Sequence, residues 1–491
     1  MRNPKWVAAI MGLMLAVLMK SPSLAATAEE IFEKGKQACR AGRYDKCVGL
    51  LSRAVSMGGL GAEVFYRRGL AYEKLGKTEQ AKGDYTRTIS MNPRYASAYL
   101  NRGTIFYRQG DYDSAIKDYD KAVKFNSANS LAYYNRGNAY LGKEEYDKAI
   151  ADFTRAVKID PGNPDAYNNR GWALLKRNET ERSRKDFDRA IDLNPRFTIA
   201  YYNRGKVRYR TGDYQGSVGD LSRAIELDPK YALAYYRRGN ARVQTGDFDK
   251  AIKDFNRAAR MNPGYANIYN NRGWVYFKKG NVAQALRDIT KALTMDPDMA
   301  RAYVNRGFIY KEKKNFAKAI KDFDRALELD GKQGSVYALR SDCFLETNRS
   351  QRALKDLEKA HSLGKQDPEI LLKLGALKEN TGDYDGAARL FGKLLALKPD
   401  DPAAHLDLGV AVGKRGKFSE ALKHFSRVIE LDPENRQAYF LRAIVFEFLG
   451  DRKRSGEDFT RALGLPEKEE KTRSIRGRVS SAHVKEMLSA R

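Results

Sequence analysis

The chain has 491 residues, of which 42% are hydrophobic and 31% are charged, and its formal net charge is +28. This composition is too polar for a membrane-spanning protein, and with 29 Tyr and 21 Phe it is too aromatic for a disordered one. So basic a surface predicts attraction to polyanions such as acidic proteins, acidic polysaccharides or lipid head groups, unless the charge only keeps a long chain soluble.

Residues 1–25 have the pattern of a secretory signal peptide. Two basic residues precede an apolar run from Trp6 to Met19, and small residues follow it. The run is shorter than the roughly 20 residues that span a bilayer. Cleavage near Ala25 or Ala28 would release a soluble, exported protein, with a bacterial periplasm as the expected compartment and nucleic acid as an unexpected partner. An uncleaved anchor is the alternative, and a lipoprotein is disfavoured because no cysteine directly follows the run.

Two of the three cysteines, Cys39 and Cys47, lie eight positions apart. An oxidising compartment would permit a disulfide between them. The alternative is that both are small buried apolar residues. Cys343 is distant in sequence from both, and we expect it to be a buried free thiol.

From residue 28 to about residue 465 the sequence repeats with a period of 34. A glycine marks most repeats. Relative to its position, Tyr recurs four residues before, a small residue twelve after, an apolar or aromatic residue sixteen after, and Pro twenty-four after. The thirteen repeats have no insertion or deletion, and eleven keep the glycine: Gly35, Gly69, Gly103, Gly137, Gly171, Gly205, Gly239, Gly273, Gly307, Gly375 and Gly409. Both halves of a repeat show helical periodicity, so each repeat is predicted to be two helices.

This pattern of aromatic, Gly, aromatic, Ala, aromatic, Ala and Pro residues resembles the tetratricopeptide repeat (TPR) family. The resemblance covers roughly residues 28–465. It implies an all-α fold: a right-handed superhelical solenoid of about thirteen helix-turn-helix units with a concave groove. One departure is that the residue before the glycine, usually Leu in the family, is Arg in ten repeats.

The glycine lies in the middle of the first helix, where it costs about 1 kcal/mol relative to alanine. Its retention in eleven repeats predicts a compensating contact. We expect the small residue twelve positions later, such as Ala149 for Gly137, to face the glycine and let the two helices approach closely.

The arginine before the glycine slot varies together with an aspartate fifteen residues after the slot. All ten repeats with the Arg have the Asp, and the three repeats with Lys34, Leu374 or Leu408 lack it. This predicts an ion pair within the repeat, such as Arg136 with Asp152. The alternatives are an arginine ladder for an anionic ligand, and shared ancestry of the ten repeats.

Two residues before the glycine, six repeats carry asparagine and two carry arginine. These residues are Asn101, Asn135, Asn169, Asn203, Asn271 and Asn305, with Arg67 and Arg237. The column resembles the asparagine ladder in the concave TPR surface of O-linked N-acetylglucosamine transferases, which grips the backbone of an extended peptide. The resemblance implies the same binding mode here, since a carboxamide pairs with a peptide C=O and N–H at once. The alternative is that the asparagines are merely solvated.

Aromatic and basic residues flank this column in the first eight repeats. They include Tyr134, Tyr202 and Tyr236 before it, Trp172 and Trp274 directly after the glycine, and Lys176 and Arg210 five residues after the glycine. Such a groove favours acidic extended peptides, or acidic sugars stacked on the rings. The alternative is that the rings fill the packing between repeats.

Repeats 2–9 keep the Asn-Arg-Gly type up to about residue 332, and repeats 10–13 diverge from it. Their asparagine slot holds Leu339, Lys373, Asp407 and Leu441, which predicts a different surface: a second partner site, a dimer contact or a cap. Residues 466–491 leave the repeat pattern and are predicted to be a basic C-terminal tail.

No sequence pattern predicts catalysis, a cofactor or a metal site. The four His have no metal-ligand spacing, and Gly76-Lys77-Thr78 lacks the earlier glycine of a phosphate-binding loop. We therefore expect a non-catalytic interaction scaffold that binds an extended, acidic polypeptide segment in its groove, within a bacterial envelope assembly. The alternative ligand is an acidic polysaccharide or another envelope polyanion, including a lipid surface.

Overall fold

The computed structural model describes residues 27–364 and 367–465, and these residues form 26 α-helices and no β-strand. The predicted signal peptide and C-terminal tail lie outside the described residues. In chain order the helices are α1 (Ala28–Arg40), α2 (Tyr44–Met57), α3 (Ala62–Lys74), α4 (Thr78–Met91), α5 (Ala96–Arg108), α6 (Tyr112–Phe125), α7 (Ser130–Gly142), α8 (Tyr146–Ile159), α9 (Pro164–Lys176), α10 (Thr180–Leu193), α11 (Thr198–Arg210), α12 (Tyr214–Leu227), α13 (Ala232–Gln244), α14 (Phe248–Met261), α15 (Ala266–Lys278), α16 (Val282–Met295), α17 (Ala300–Glu312), α18 (Phe316–Leu329), α19 (Gly334–Glu346), α20 (Ser350–Ser362), α21 (Pro368–Asn380), α22 (Tyr384–Leu397), α23 (Pro402–Lys414), α24 (Phe418–Leu431), α25 (Arg436–Phe448) and α26 (Arg452–Gly464).

Consecutive helices pack together as helix-turn-helix repeats, as α1 does with α2 and α15 with α16, so the predicted all-α repeat fold is confirmed. The described residues divide into two compact units, one up to Thr245 and one from Gly246 onwards. In the first, Tyr85 and Phe153 are among the fully buried core side chains, and in the second Phe323 and Phe391 are. All four occupy the column sixteen residues after the glycine slot.

The turns follow from the residues that punctuate them. Between α5 and α6, Gly110 has φ +79°, a conformation that glycine adopts without steric cost. Asp111 then caps α6 by accepting a hydrogen bond from the Ser114 backbone N–H at 3.0 Å. At the other end of a repeat, α12 ends at Leu227. The next residue, Asp228, has the extended backbone that is favoured before a proline, here Pro229.

The glycine column packs against an aromatic or aliphatic side chain sixteen residues later. A Cβ at Gly137 would lie only 2.8 Å from Cε1 of Phe153. The small residue twelve positions later also reaches the glycine backbone, as when Ser183 Oγ donates to the Gly171 carbonyl oxygen at 2.7 Å. The predicted close approach of the helices is therefore present, and the side chain sixteen residues after the glycine takes up the space of the missing Cβ.

The predicted arginine–aspartate ion pairs are confirmed by nine pairs that each lie within one compact unit. In all nine, Nε and Nη2 of the arginine donate to the two carboxylate oxygens at 2.6–2.9 Å. The pairs are Arg68–Asp84, Arg102–Asp118, Arg136–Asp152, Arg170–Asp186, Arg204–Asp220, Arg272–Asp288, Arg306–Asp322, Arg340–Asp356 and Arg442–Asp458.

Each arginine also reaches the repeat before its own. Nη1 of Arg136 donates to Asp120 at 2.7 Å, and Nη1 of Arg102 donates to Thr86 at 3.1 Å. The acceptor column, seventeen residues after the glycine slot, holds Ser, Thr, Asp or Asn wherever the next repeat has the arginine. The arginine therefore joins both helices of its own repeat to the preceding repeat, which makes it an architectural residue rather than a rung for a ligand.

The cysteines occupy the first repeat and α19. Cys39 and Cys47 have Cα atoms 5.1 Å apart and are joined by a disulfide that links α1 to α2. Cys343 is a buried free thiol, as predicted, and burial raises its pKa to about 12.

No helix within residues 27–364 and 367–465 combines the length and the apolar character needed to cross a membrane.

Candidate anion-binding site

The predicted asparagine ladder lies between the first helices of neighbouring repeats. Nδ2 of Asn101 donates to the Tyr66 hydroxyl at 3.3 Å, and Nδ2 of Asn135 donates to Thr104 Oγ1 at 3.3 Å. Asn169 donates to the Tyr134 hydroxyl at 3.2 Å and to an Asn138 oxygen at 2.8 Å. These amides therefore link one repeat to the next, and any contact with a peptide would use their remaining hydrogen-bonding capacity.

A second pair of asparagines extends the ladder and is not among the residues that the sequence predicts. Asn168 accepts from Asn203 Nδ2 at 3.0 Å, and Asn270 accepts from Asn305 Nδ2 at 2.9 Å. Asn270 also donates to the Oδ1 of Asn271 at 3.0 Å. Asn168, Asn203 and Asn270 are buried, so this part of the ladder is a hydrogen-bond network between repeats. Its sequence signal was a slot that holds Tyr in most neighbouring repeats and Asn in these two.

The predicted groove tyrosines pack inward. Tyr202 and Tyr236 are buried, and the Tyr202 ring lies 4.9 Å from the ring of Tyr231. The Tyr134 ring lies 5.9 Å from the ring of Phe153. These rings fill the packing between and within repeats, which is the alternative that the sequence left open for them.

A cluster of basic side chains lines a cavity of about 330 Å³ in the first compact unit. Three successive first helices build it: α9, α11 and α13. Among the described residues that line it, four are basic, Lys176, Lys206, Arg210 and Arg237, and none is acidic. Trp172 and Asn240 complete the part of the wall that carries aromatic and polar groups.

Lys206 lies at the centre of this cluster. Its Nζ is 3.9 Å from the centroid of the Trp172 ring and 5.7 Å from that of Tyr202. Lys176 Nζ lies 5.3 Å from the same Trp172 ring. An ammonium over an indole face gains a cation–π interaction, but the ring leaves the charge unneutralised.

The electrostatics of the cluster are those of crowded cations. Burial, together with the charges of Arg237 and Lys176, lowers the pKa of Lys206 to about 8. Nε of Arg237 is buried and has no hydrogen-bond partner among the described residues. A buried N–H without an acceptor costs about 1–3 kcal/mol. Arg210 is exposed and donates to Asn178 Oδ1 at 2.7 Å, a neutral partner. An anion in the cavity would offset the positive charge of its described lining, which holds four basic residues and no acidic one.

Two other predicted groove residues have different surroundings. Nε of Arg67 lies 2.6 Å from a carboxylate oxygen of Glu63, which is close enough for an ion pair. The angle of the Nε–H bond to this oxygen does not meet that of a hydrogen bond. In the second compact unit, the Trp274 ring lies 5.5 Å from Phe277 and 5.7 Å from Phe308, with Lys278 Nζ 5.3 Å from its centroid. Arg67 is thus neutralised, and Trp274 belongs to an aromatic cluster.

Of the residues predicted for the groove, the structure therefore brings Trp172, Lys176, Arg210 and Arg237 together around one cavity. Lys206 is missing from that prediction. The sequence signal that could have found it is its position in the repeat. Lys206 directly follows Gly205, just as Trp172 directly follows Gly171 one repeat earlier. Residues of one column in neighbouring repeats lie side by side, so a lysine in that slot falls over the tryptophan.

Within the described part of the chain, no group of three or more His, Cys, Asp or Glu side chains is arranged to hold a metal ion.

Comparison with known protein families finds three models, each described as a tetratricopeptide repeat. One matches residues 66–130, 168–232, 202–266 and 236–300, the second matches 130–163 and 300–333, and the third matches 344–406 and 381–445. Together they cover more than half of the chain. No curated protein sequence gives a significant match.

Several solved structures are similar to parts of the chain. A tetratricopeptide repeat protein from Parabacteroides merdae is 23% identical, with 51% of this chain and 98% of that one covered and a TM-score of 0.42. MamA is 27% identical over 34% of this chain and 96% of its own, with a TM-score of 0.32. YrrB, described as a TPR protein with an unusual peptide-binding site, is 26% identical over 44% of this chain and 95% of its own, with a TM-score of 0.29.

Proposed function

Because the chain belongs to the tetratricopeptide repeat family, we propose that it is a non-catalytic protein–protein interaction scaffold. It binds an extended, acidic polypeptide segment along the first helices of its repeats. The observation that carries this proposal is the cavity on α9, α11 and α13, whose described lining holds four basic residues and no acidic one.

Charge complementarity is the physical reason. Burial of Lys206 and the neighbouring charges of Arg237 and Lys176 both disfavour its ammonium form and lower its pKa. A carboxylate-bearing segment would offset these positive charges, and the field of the cluster would steer it into place. The same segment would continue along the column of Asn101 and Asn135, whose partly exposed amides keep capacity for peptide C=O and N–H groups.

Export to an oxidising compartment, within a bacterial envelope assembly, is part of the proposal. Two observations support it: the signal-peptide pattern of residues 1–25 and the disulfide between Cys39 and Cys47. Mass spectrometry of the protein isolated from its host should find an N-terminus that follows Ala25 or Ala28. An intact N-terminus would contradict export by a cleaved signal.

An acidic polysaccharide is the second candidate ligand, and the geometry at Trp172 makes it the weaker one. Sugar rings bind by stacking on an exposed aromatic face. The ammonium groups of Lys206 and Lys176 lie 3.9 Å and 5.3 Å from the Trp172 centroid, so charged contacts rather than ring stacking dominate there.

The test compares two fluorescent dodecapeptides, one of alternating Glu and Gly and one of alternating Gln and Gly, by anisotropy. We expect the Glu peptide to bind at least about tenfold more tightly, and the K176M/R210M variant to lose most of this difference. The matched control, K117M/K121M, removes two exposed lysines from α6 and should bind as the wild type does.

Equal binding of the two peptides, or equal losses in the variant and its control, would refute the proposal. Polygalacturonate serves as the competing ligand. Tighter binding of that polymer than of the Glu peptide, with a steep dependence on salt, would favour the polysaccharide instead.

A further inference from the structure

Buried cations in the first compact unit are generally neutralised by carboxylates. Arg204, two residues before Lys206, donates to Asp220 at 2.6 Å and 2.9 Å and to Asp188 at 2.7 Å. Arg136 likewise contacts both Asp152 and Asp120. The cavity beside Trp172 departs from this rule, because the charged groups that act on Lys206 are the cations Arg237 and Lys176.

The cations of the cavity reach it from three different repeats. Lys176 comes from α9, Lys206 and Arg210 from α11, and Arg237 from α13. The half-buried Lys206 ammonium lies over the Trp172 ring at 3.9 Å, and Arg237 lines the same cavity. These cations therefore line one partly open cavity of about 330 Å³ instead of following the groove as a row.

A single carboxylate would balance only one of these charges and offers two oxygens. A phosphomonoester carries about −1.5 to −2 charges near neutral pH and three strongly accepting oxygens. Arginine and lysine are the side chains that bind phosphoryl groups most often, the first through its planar fork and the second as a point charge. The charge and the donor number of the cavity match the phosphoryl group better than the carboxylate.

We propose that the cavity lined by Trp172, Lys176, Lys206, Arg210 and Arg237 is a selective subsite for a phosphoryl dianion, with Lys206 as its specificity-determining cation. The phosphoryl group is either inorganic phosphate or a phosphorylated side chain of the bound segment. This inference rests on the proposed function only in the second case, since free phosphate would fill the same subsite without a polypeptide.

The first experiment is calorimetric titration of the full chain with inorganic phosphate and, at equal ionic strength, with acetate. We expect saturable binding of phosphate and none of acetate. Loss of one charge-assisted contact in K206M should weaken phosphate binding about tenfold or more, whereas K206R should keep it. The control K117M/K121M should bind phosphate as the wild type does, and circular dichroism should show unchanged helix content in every variant.

The pH dependence gives a second readout. The charged groups that act on Lys206 are Lys176 from α9 and Arg237 from α13, and Arg210 lines the same cavity from the helix of Lys206 itself. Phosphate affinity of the wild type should therefore fall between about pH 7 and pH 9 as Lys206 loses its proton, and the K206R variant should not show this fall.

The source of the group is decided with a Gly-rich peptide that carries one phosphoserine. Binding at least about tenfold tighter than that of inorganic phosphate identifies a phosphorylated segment, and equal binding identifies the free anion. Acetate binding equal to that of phosphate, or an unchanged affinity in K206M, would overturn the subsite. If the alternating Glu peptide binds while phosphate does not, the phosphoryl subsite is refuted and the proposed function stands. If phosphate binds while the Glu peptide does not, the phosphoryl subsite stands and the proposal of an acidic polypeptide ligand is refuted.

Discussion

Replacing Arg136 by leucine should destabilise the fourth repeat far more than replacing Arg136 and Asp152 together. Arg136 donates to both Asp152 oxygens at 2.6–2.7 Å and to Asp120 at 2.7 Å. Its side chain is 17% exposed and that of Asp152 is 8% exposed. Burial raises the pKa of Asp152 although Arg136 opposes the shift. Without the arginine the carboxylate would be left buried and unpaired.

The magnitude follows from this burial. Removing one partner of a buried ion pair costs about 3–5 kcal/mol, and the partial exposure of Arg136 places R136L near the lower end, at about 3 kcal/mol. Replacing both partners by leucine removes the stranded charge, so R136L/D152L should cost about 1 kcal/mol or less. Repeat 11 already shows this arrangement, because Leu374 and Leu390 occupy the two positions and both are buried.

Local hydrogen exchange is the suitable assay, since a repeat array need not unfold in one cooperative step. At about 3 kcal/mol, amides of α7 and α8 in R136L should exchange roughly a hundredfold faster than in the wild type. In the double variant they should exchange within about tenfold of the wild type. The single variants R136L and D152L are measured in the same way. If their effects on the exchange rates simply add in the double variant, the two side chains do not depend on each other and the reasoning is refuted.

Three further predictions concern stability. Burial raises the pKa of Glu379 to about 8, so the folded state favours the protonated acid and loses stability, by a few kcal/mol, as the pH rises from about 4.5 to about 8. In urea titrations the E379Q variant should lose less stability over this pH range. If the stability of E379Q and that of the wild type fall in parallel with pH, the prediction is contradicted. G137A should lower the stability of its repeat by about 1–2 kcal/mol, despite the helix preference of alanine, because the new Cβ would lie 2.8 Å from Phe153; faster exchange in α7 checks this. Reduction of the disulfide between Cys39 and Cys47 should destabilise the first repeat by about 2–3 kcal/mol, and a C39S/C47S variant should then show no response to reductant.

The sequence alone was sufficient for the repeats and for their ion pairs. A period of 34 repeated over thirteen copies determines the helices, because eleven copies carry the glycine and the turn residues and apolar columns recur with the same period. The covariation of the arginine and aspartate columns predicted contacts such as Arg136–Asp152, which the structure confirms. Each of these inferences concerns residues within one repeat, where the helix periodicity determines which side chains meet.

The candidate site was harder to predict because it depends on how neighbouring repeats stack. Tyr202 and Tyr236 lie in the asparagine-flanking column, yet their rings turn into the packing between repeats. Asn203 donates to Asn168 of the preceding repeat, a partner 35 residues away. Lys206 meets Trp172 across the same kind of boundary. Such contacts follow from side-chain direction and stacking geometry, which column identities alone leave undetermined.

Zero-length cross-linking tests the central claim, that an acidic segment binds at the cation cluster, most directly. A carbodiimide activates the carboxylates of the alternating Glu–Gly dodecapeptide and couples them to amines in contact with the bound peptide. The account predicts that peptide mapping by mass spectrometry finds the coupled peptide on Lys176 and Lys206, the two lysines that face the cavity. Equal coupling to Lys117 and Lys121, which are exposed on α6, would contradict it.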